Sequence, residues 1–141
     1  MSVRIAAIPG RLAPLLWPTI SPMIDMAIEH SNGELCNETM LNRIINNDML
    51  LLTVSNDNDI VAVLTLERRD FPSGKSILNI TTAGGKDLDL WFEKIDETVC
   101  KLAEEQGCQE VYIVGRPGWQ RKLKKLNYAP IHSVVSKKVG E

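Results

Sequence analysis

Hydrophobic positions recur along this chain with two periods, and the switches between them mark the elements. Residues 3 to 9 read Val-Arg-Ile-Ala-Ala-Ile-Pro, a β-branched run stopped by proline, which predicts a short strand. From Ser21 to Gly33 a helix is predicted, with Ser21 as N-cap and Pro22 at its first position. Met23, Ile24, Ala27 and Ile28 make its apolar stripe. A second short helix is predicted from its cap Asn37, with Met40, Leu41, Ile44 and Ile45 on one face. Residues 49 to 54 form a strand pattern, Ser55 to Asp59 are turn chemistry, and residues 60 to 69 return as a hairpin partner. Phe71 to Gly74 then turn the chain into residues 76 to 83. The three strands make an antiparallel meander.

The second half changes rhythm. After Gly84-Gly85, the positions Leu88, Trp91, Phe92, Ile95, Val99, Leu102 and Ala103 form one stripe of a long amphipathic helix, stopped by Gly107. Residues 110 to 114 are an apolar buried-type strand, followed by the turn Gly115-Arg116-Pro117-Gly118. Gly118 to Asn127 predict a short basic helix, and Tyr128 to Val139 a final strand. A strand–helix–strand crossover joins residues 76 to 83 to residues 110 to 114, which favours parallel pairing with a right-handed connection. The expectation is one α/β domain over 1–141, with an α+β type of mixed sheet. Both Trp91 and Trp119 are expected in its interior.

Composition excludes several classes. The chain has 141 residues, 44% apolar and 24% charged, with a net charge of −2, which suits a soluble domain with a real core. That charge argues against general nucleic-acid binding. Cys36, Cys100 and Cys108 are too few and too odd for a disulfide framework, and imply free, mostly buried thiols in a reducing, cytoplasmic setting. The only histidines are His30 and His132, so no zinc-ligand spacing exists and no metal is expected. Residues 11 to 30 carry Pro14, Pro18, Pro22, Asp25 and Glu29, which argues against a membrane span.

In element order, over nearly its whole length, the chain resembles the GNAT superfamily of N-acetyltransferases. The likeness is sharpest over residues 76 to 130. There Ile77 to Trp91 stands where the family has its fourth strand and phosphate-binding turn. Val114 to Pro130 stands where it has the fifth strand, the fourth helix and a Gly-Phe-like ending, here Asn127-Tyr128. Within the superfamily it looks most like small proteins of tailed bacteriophages, which share the Gly-Arg-x-Gly-Trp turn and a single closing strand. That likeness implies a host cytoplasm or virion location.

The resemblance implies acetyl-CoA as cofactor, held at Ala83, Gly84, Gly85 and Lys86. Orphan amides and the helix dipole favour an anion there, and glycine permits close approach. Several family landmarks are absent. Gly84 and Gly85 are adjacent rather than spaced, and Thr81 and Thr82 stand where the family has Gln or Arg. Asp87 and Asp89 occupy the first helical turn, where carboxylates would cap the helix and repel phosphate. Leu123 falls where many members carry a proton-donating tyrosine, and leucine donates nothing. Glu67 and Glu110 remain as candidate bases, Tyr112 and Tyr128 as candidate acids. If acetyl-CoA binds, Gly84→Val or Gly85→Val should abolish binding in a folded protein.

Arg116, Arg121, Lys124 and Lys125 are the candidate partner-binding residues. Arg121, Lys124 and Lys125 share a helix face opposite Leu123 and Leu126. They suit an anionic partner or simply a solvated face. Without interleaved exposed aromatics, specific nucleic-acid binding is the weakest reading. After Asn127 there is room for one strand of the family's closing pair, so the fold is expected to be truncated there with an edge to protect. The apolar Leu12, Leu15, Leu16 and Trp17 either fold onto the core or serve association. Two functions stay open: an acetyl-CoA-dependent N-acetyltransferase, or a non-catalytic, phage-type structural or interaction protein that binds a protein partner or itself.

Overall fold

The computed structural model describes residues 3–114 and 119–140. Its five strands are β1 (Val3–Ile8), β2 (Leu50–Asn56), β3 (Asp59–Asp70), β4 (Ser76–Gly85) and β5 (Glu110–Ile113). The helices are α1 (Ala13–Ile28), α2 (Asn37–Ile45), α3 (Leu88–Glu105) and α4 (Gln120–Lys125), with a 3₁₀ turn at Gly10–Leu12. One sheet runs in the order β1-β2-β3-β4-β5. The first three pairings are antiparallel, and β4 with β5 is parallel, crossed by α3 as the sequence predicts.

Each face of the sheet has its own core. On one side α3 lays Leu88, Trp91, Ile95, Val99 and Ala103 over Leu52, Leu64, Leu66, Leu78 and Ile80. On the other side α1 and α2 bring Ile20, Ile24, Met40 and Ile44 onto Leu51 and Val63. Burial on both faces explains why β2 to β4 carry near-continuous apolar runs rather than alternation.

Helix α1 corrects the expected boundary at Ser21, since it begins eight residues earlier and contains Pro18 and Pro22. Prolines normally break helices because each removes an N–H to the fourth residue back. Here Pro14 sits in the first turn, and Pro18 and Pro22 follow at intervals of four, all exposed. The carbonyls left without donors, Pro14 and Pro18, therefore share the solvent face, where water satisfies them. The buried face, Ala13, Ile20, Ile24 and Ala27, drives the helix onto the sheet. Thus the proline-rich segment folds onto the core. At α2 the N-cap is Cys36, not Asn37. Asn37 instead ties the two helices together, accepting from Trp17 Nε1 (2.8 Å) and donating to Ser21 Oγ and Asp25 Oδ1 (both 2.9 Å).

Two further expectations are corrected. Residues 128–139 form no strand: from Ala129 onward every described residue is exposed, because no described strand pairs with them. The cysteines are free, but Cys36 and Cys100 are exposed and Cys108 half-buried, since only the last packs against the α3-side core.

Candidate functional site

Strand β4 sets the geometry. It pairs with β5 only from Ile77 to Ile80, opposite Glu110 to Ile113, and then continues to Gly85. Thr65 faces Thr82 and Leu66 faces Ile80, so Thr81 is an extra residue on β4, a bulge one step beyond the last β4–β5 pair. Bulges bend a strand and increase its twist. The bend is held from within by Thr65 and Thr82, whose buried hydroxyls lie 2.7 Å apart. Among the described residues the β4–β5 pairing ends at Ile80, and β4 runs on to Gly85 and the start of α3.

There a cavity of about 420 Å³ is lined by Gly85, Asp87, Leu88, Asp89, Leu90 and Trp119. Asp87, the N-cap of α3, adopts a left-handed conformation (φ 53°) and makes no side-chain capping bond. This corrects the expectation that Asp87 or Asp89 occupies the first-turn amides. Asp89 turns instead to Lys122 of α4, Oδ2 to Nζ 3.1 Å. The first-turn amides of Leu88 and Asp89 have no intrahelical acceptor by helix geometry, and the dipole of an 18-residue helix adds partial positive charge at this end. Of the two carboxylates at this end, Asp89 is paired with a lysine. Trp119 closes the side of the cavity and packs edge-on against Phe92 (centroids 5.1 Å, interplanar angle 78°). It is half-buried rather than interior, whereas Trp91 is buried as expected.

The four expected cofactor residues divide. Gly85 lines the cavity. Ala83 is buried in the core beneath α3. Gly84 faces the other way, under α1, where a Cβ would lie 2.1 Å from the Met23 carbonyl oxygen. Gly85 also lies close to β3, a Cβ meeting Val61 O at 2.3 Å. The glycine pair is thus part of the strand, not a turn, and both residues serve close backbone packing. Lys86 donates its amide to Val61 O (2.8 Å) and lines a second cavity, of about 540 Å³, with Thr19, Met23, Asn58 and Asp59. Asp87, Leu88, Asp89 and Leu90 were not assigned to the seat from the sequence. The signal was present as a Gly-Gly-Lys-Asp run opening a long helix, read there as a capping pattern.

The acid–base candidates do not converge on the cavity. Glu67 pairs with Arg43 (3.1 Å) and more loosely with Arg69, and Glu110 pairs with Lys75. Tyr112 stacks near Phe71 with Lys75 over its ring. Tyr128 donates its hydroxyl to Asp96 Oδ1 at 2.7 Å. Burial, with the Asp96 carboxylate beside it, holds its proton far more tightly than a free phenol. Tyr128 is therefore a poorer acid than ordinary tyrosine. Leu123, at the position of the family tyrosine, is buried. Of the basic residues, Arg121, Lys124 and Lys125 are exposed on α4. Arg116 lies outside the described residues. Among the described residues no cluster of His, Cys, Asp and Glu could hold a metal ion, and no helix is long and apolar enough to cross a membrane.

No protein-family model matches the chain, and no curated protein matches it in sequence. Solved structures do match. A predicted acetyltransferase from Clostridium acetobutylicum, solved with acetyl-CoA, superposes with a TM-score of 0.70 at 13% identity, over 98% of this chain and 97% of that one. The glucosamine-6-phosphate N-acetyltransferase of Arabidopsis thaliana gives 0.67 at 10% identity, over 99% of both chains. The ribosomal-protein-alanine N-acetyltransferase of Brucella melitensis biovar Abortus 2308 gives 0.65 at 16% identity, over 99% of this chain and 100% of that one. These three are bacterial and plant proteins, and they lend no support to the resemblance to phage proteins. The mixed five-stranded sheet with its β4–α3–β5 crossover gives the chain the fold of the GNAT acetyltransferases.

Proposed function

We propose that this protein binds an acyl-CoA at the β4–α3 junction and transfers its acyl group to an amine. The observation that carries this reading is the first turn of α3. Its N-cap residue Asp87 makes no side-chain capping bond, and its first residues line a cavity where β4 ends. The fold shared with an acetyltransferase solved with acetyl-CoA supports the same reading.

A CoA thioester supplies the activated acyl group and a pyrophosphate. The amides of Leu88 and Asp89 would hold the pyrophosphate, with the Asp89 charge already answered by Lys122. Backbone groups at Thr81, one step beyond the last β4–β5 pair among the described residues, would face the extended arm. When bound, the thioester would give an amine an activated carbon to attack, the C–S bond breaking with thiolate as the leaving group and the amine proton passing to solvent. Leu123 and the hydrogen-bonded Tyr128 would supply no acid for the thiolate, so the part of the described residues would be to position the two substrates. Acyl-CoA is a cytoplasmic metabolite, which agrees with the free thiols.

A second reading, a non-catalytic GNAT-fold protein using the exposed Arg121, Lys124 and Lys125 against an acidic partner, rests on that missing acid. Calorimetry with acetyl-CoA and CoA separates the two. Ligand at 100 times its dissociation constant should stabilise the fold by about 2.7 kcal/mol. Absence of heat and of any shift in melting at millimolar acetyl-CoA would sink the first reading. Binding without thiol release against a panel of amines would favour the second.

A further inference from the structure

The second cavity, of about 540 Å³, lies on the α1 side of the sheet, where β3 begins and β4 has just ended. Small-molecule sites span about 300–1,000 Å³. Met23 and Ile60, half-buried against the α1-side core, give it an apolar floor. The exposed Thr19, Asn58, Asp59 and Lys86 give it a polar rim. The rim holds one carboxylate and one ammonium, and neither forms an ion pair with another described residue. Their backbones keep them apart. The Lys86 amide donates to Val61 O, and Asp59 lies two residues before Val61, roughly 7 Å away along β3.

We infer that this cavity binds a small zwitterion with an apolar side chain, the chemistry of an α-amino acid or a short peptide. Charge selects the class. An amine without a carboxylate leaves Lys86 unanswered beside it, and a plain anion leaves Asp59 so. A molecule carrying both groups answers each, with the Thr19 hydroxyl and the Asn58 amide open to its remaining donors and acceptors. Met23 supplies a flexible, polarizable wall that suits apolar side chains of several shapes. Lys86 stands five residues beyond Thr81, roughly 15 Å along an extended strand, so this ligand is separate from the amine of the proposed acyl transfer. It bridges α1, β3 and the end of β4, beside the point where the Met23 carbonyl sits over Gly84, and braces the sheet there.

Calorimetric titration with L-leucine and with leucyl-leucine, in the absence of any CoA compound, tests this apart from the acyl-CoA reading. The expected result is millimolar or tighter binding of at least one, which also tells an amino acid from a peptide. Leucinamide, lacking the carboxylate, and isocaproate, lacking the ammonium, should bind about tenfold more weakly. Lys86→Gln should weaken the zwitterion by a similar factor and leave leucinamide unchanged. Asp59→Asn should also weaken it, and leave isocaproate unchanged. Should either variant lose its native circular dichroism spectrum, Thr19→Phe obstructs the cavity from an exposed helix position and should abolish binding. No heat from either probe at tens of millimolar overturns the proposal. So does binding that the singly charged analogues match, or that all of these substitutions leave unchanged.

Discussion

The backbone of Gly84 lies directly under the carbonyl of Met23, so close that a Cβ would sit 2.1 Å from that oxygen. This contact brings α1 down onto β4. A side chain here has backbone rather than a flexible neighbour to displace, so Gly84→Ala should cost at least about 3 kcal/mol, the upper end of overpacking effects. Gly74→Ala is the control: it has a positive φ of 93° but open space around it, and should cost about 1 kcal/mol. Urea unfolding measures both. Consequently Gly84→Val reports on folding, and it cannot serve as the test of cofactor binding that the sequence suggested.

Tyr128 and Asp96 give the protein an alkaline weakness. A free tyrosine has a pKa of 10, and burial next to Asp96 raises the folded value above it. Below pH 10 both states keep the proton and the contribution is whole. As pH rises above 10 the unfolded chain alone releases it, so stability falls. Lys75, raised chiefly by its bond to Glu110, adds to the same fall. The comparison is therefore with Tyr128→Phe. That variant should lose about 1–2 kcal/mol at pH 7 and then melt with a shallower decline from pH 9 to pH 11.

Much of the fold was legible because burial writes itself into periodicity. The stripe from Leu88 to Ala103 placed α3 to within a residue, and the β-rich runs on either side gave the parallel pair. Helix α1 was misjudged because proline is a strong local signal and its exposure is a tertiary property. The four-residue spacing of Pro14, Pro18 and Pro22, out of phase with Ala13, Ile20, Ile24 and Ala27, was the sign that all three face water. The site was legible only as a neighbourhood. Gly84 and Gly85 look alike in sequence, but pleating sends one toward α1 and leaves the other at the cavity. That distinction depends on the bulge at Thr81, which no local residue pattern announces.

Trp91 is buried, and its indole Nε1 has no partner among the described residues. A buried donor without an acceptor costs about 1–3 kcal/mol. Trp91→Ala should lose about 3–5 kcal/mol through its cavity. Trp91→Phe removes the orphan donor while keeping an aromatic ring, so it should cost less than half as much. Thermal melts of the two variants check the ratio. Equal losses would show that the indole nitrogen is satisfied in solution.

Asp89 should pull stability and ligand binding in opposite directions. At the first turn of α3 its carboxylate favours the helix dipole, an effect of about 0.3–1 kcal/mol. Its pair with Lys122 is largely exposed and adds at most about 1 kcal/mol. Asp89→Asn should therefore lower stability by a few tenths to about 1 kcal/mol. The same change takes a negative charge from the lining of the cavity and frees Lys122. If a pyrophosphate sits there, relief of about 1 kcal/mol of repulsion tightens acetyl-CoA roughly fivefold. Lys122→Ala should do the reverse to affinity, leaving Asp89 unanswered beside the anion. Calorimetric titration of the two variants, alongside their melting curves, gives both quantities. Affinity falling in step with stability in Asp89→Asn would mean that no anion occupies the α3 N-terminus.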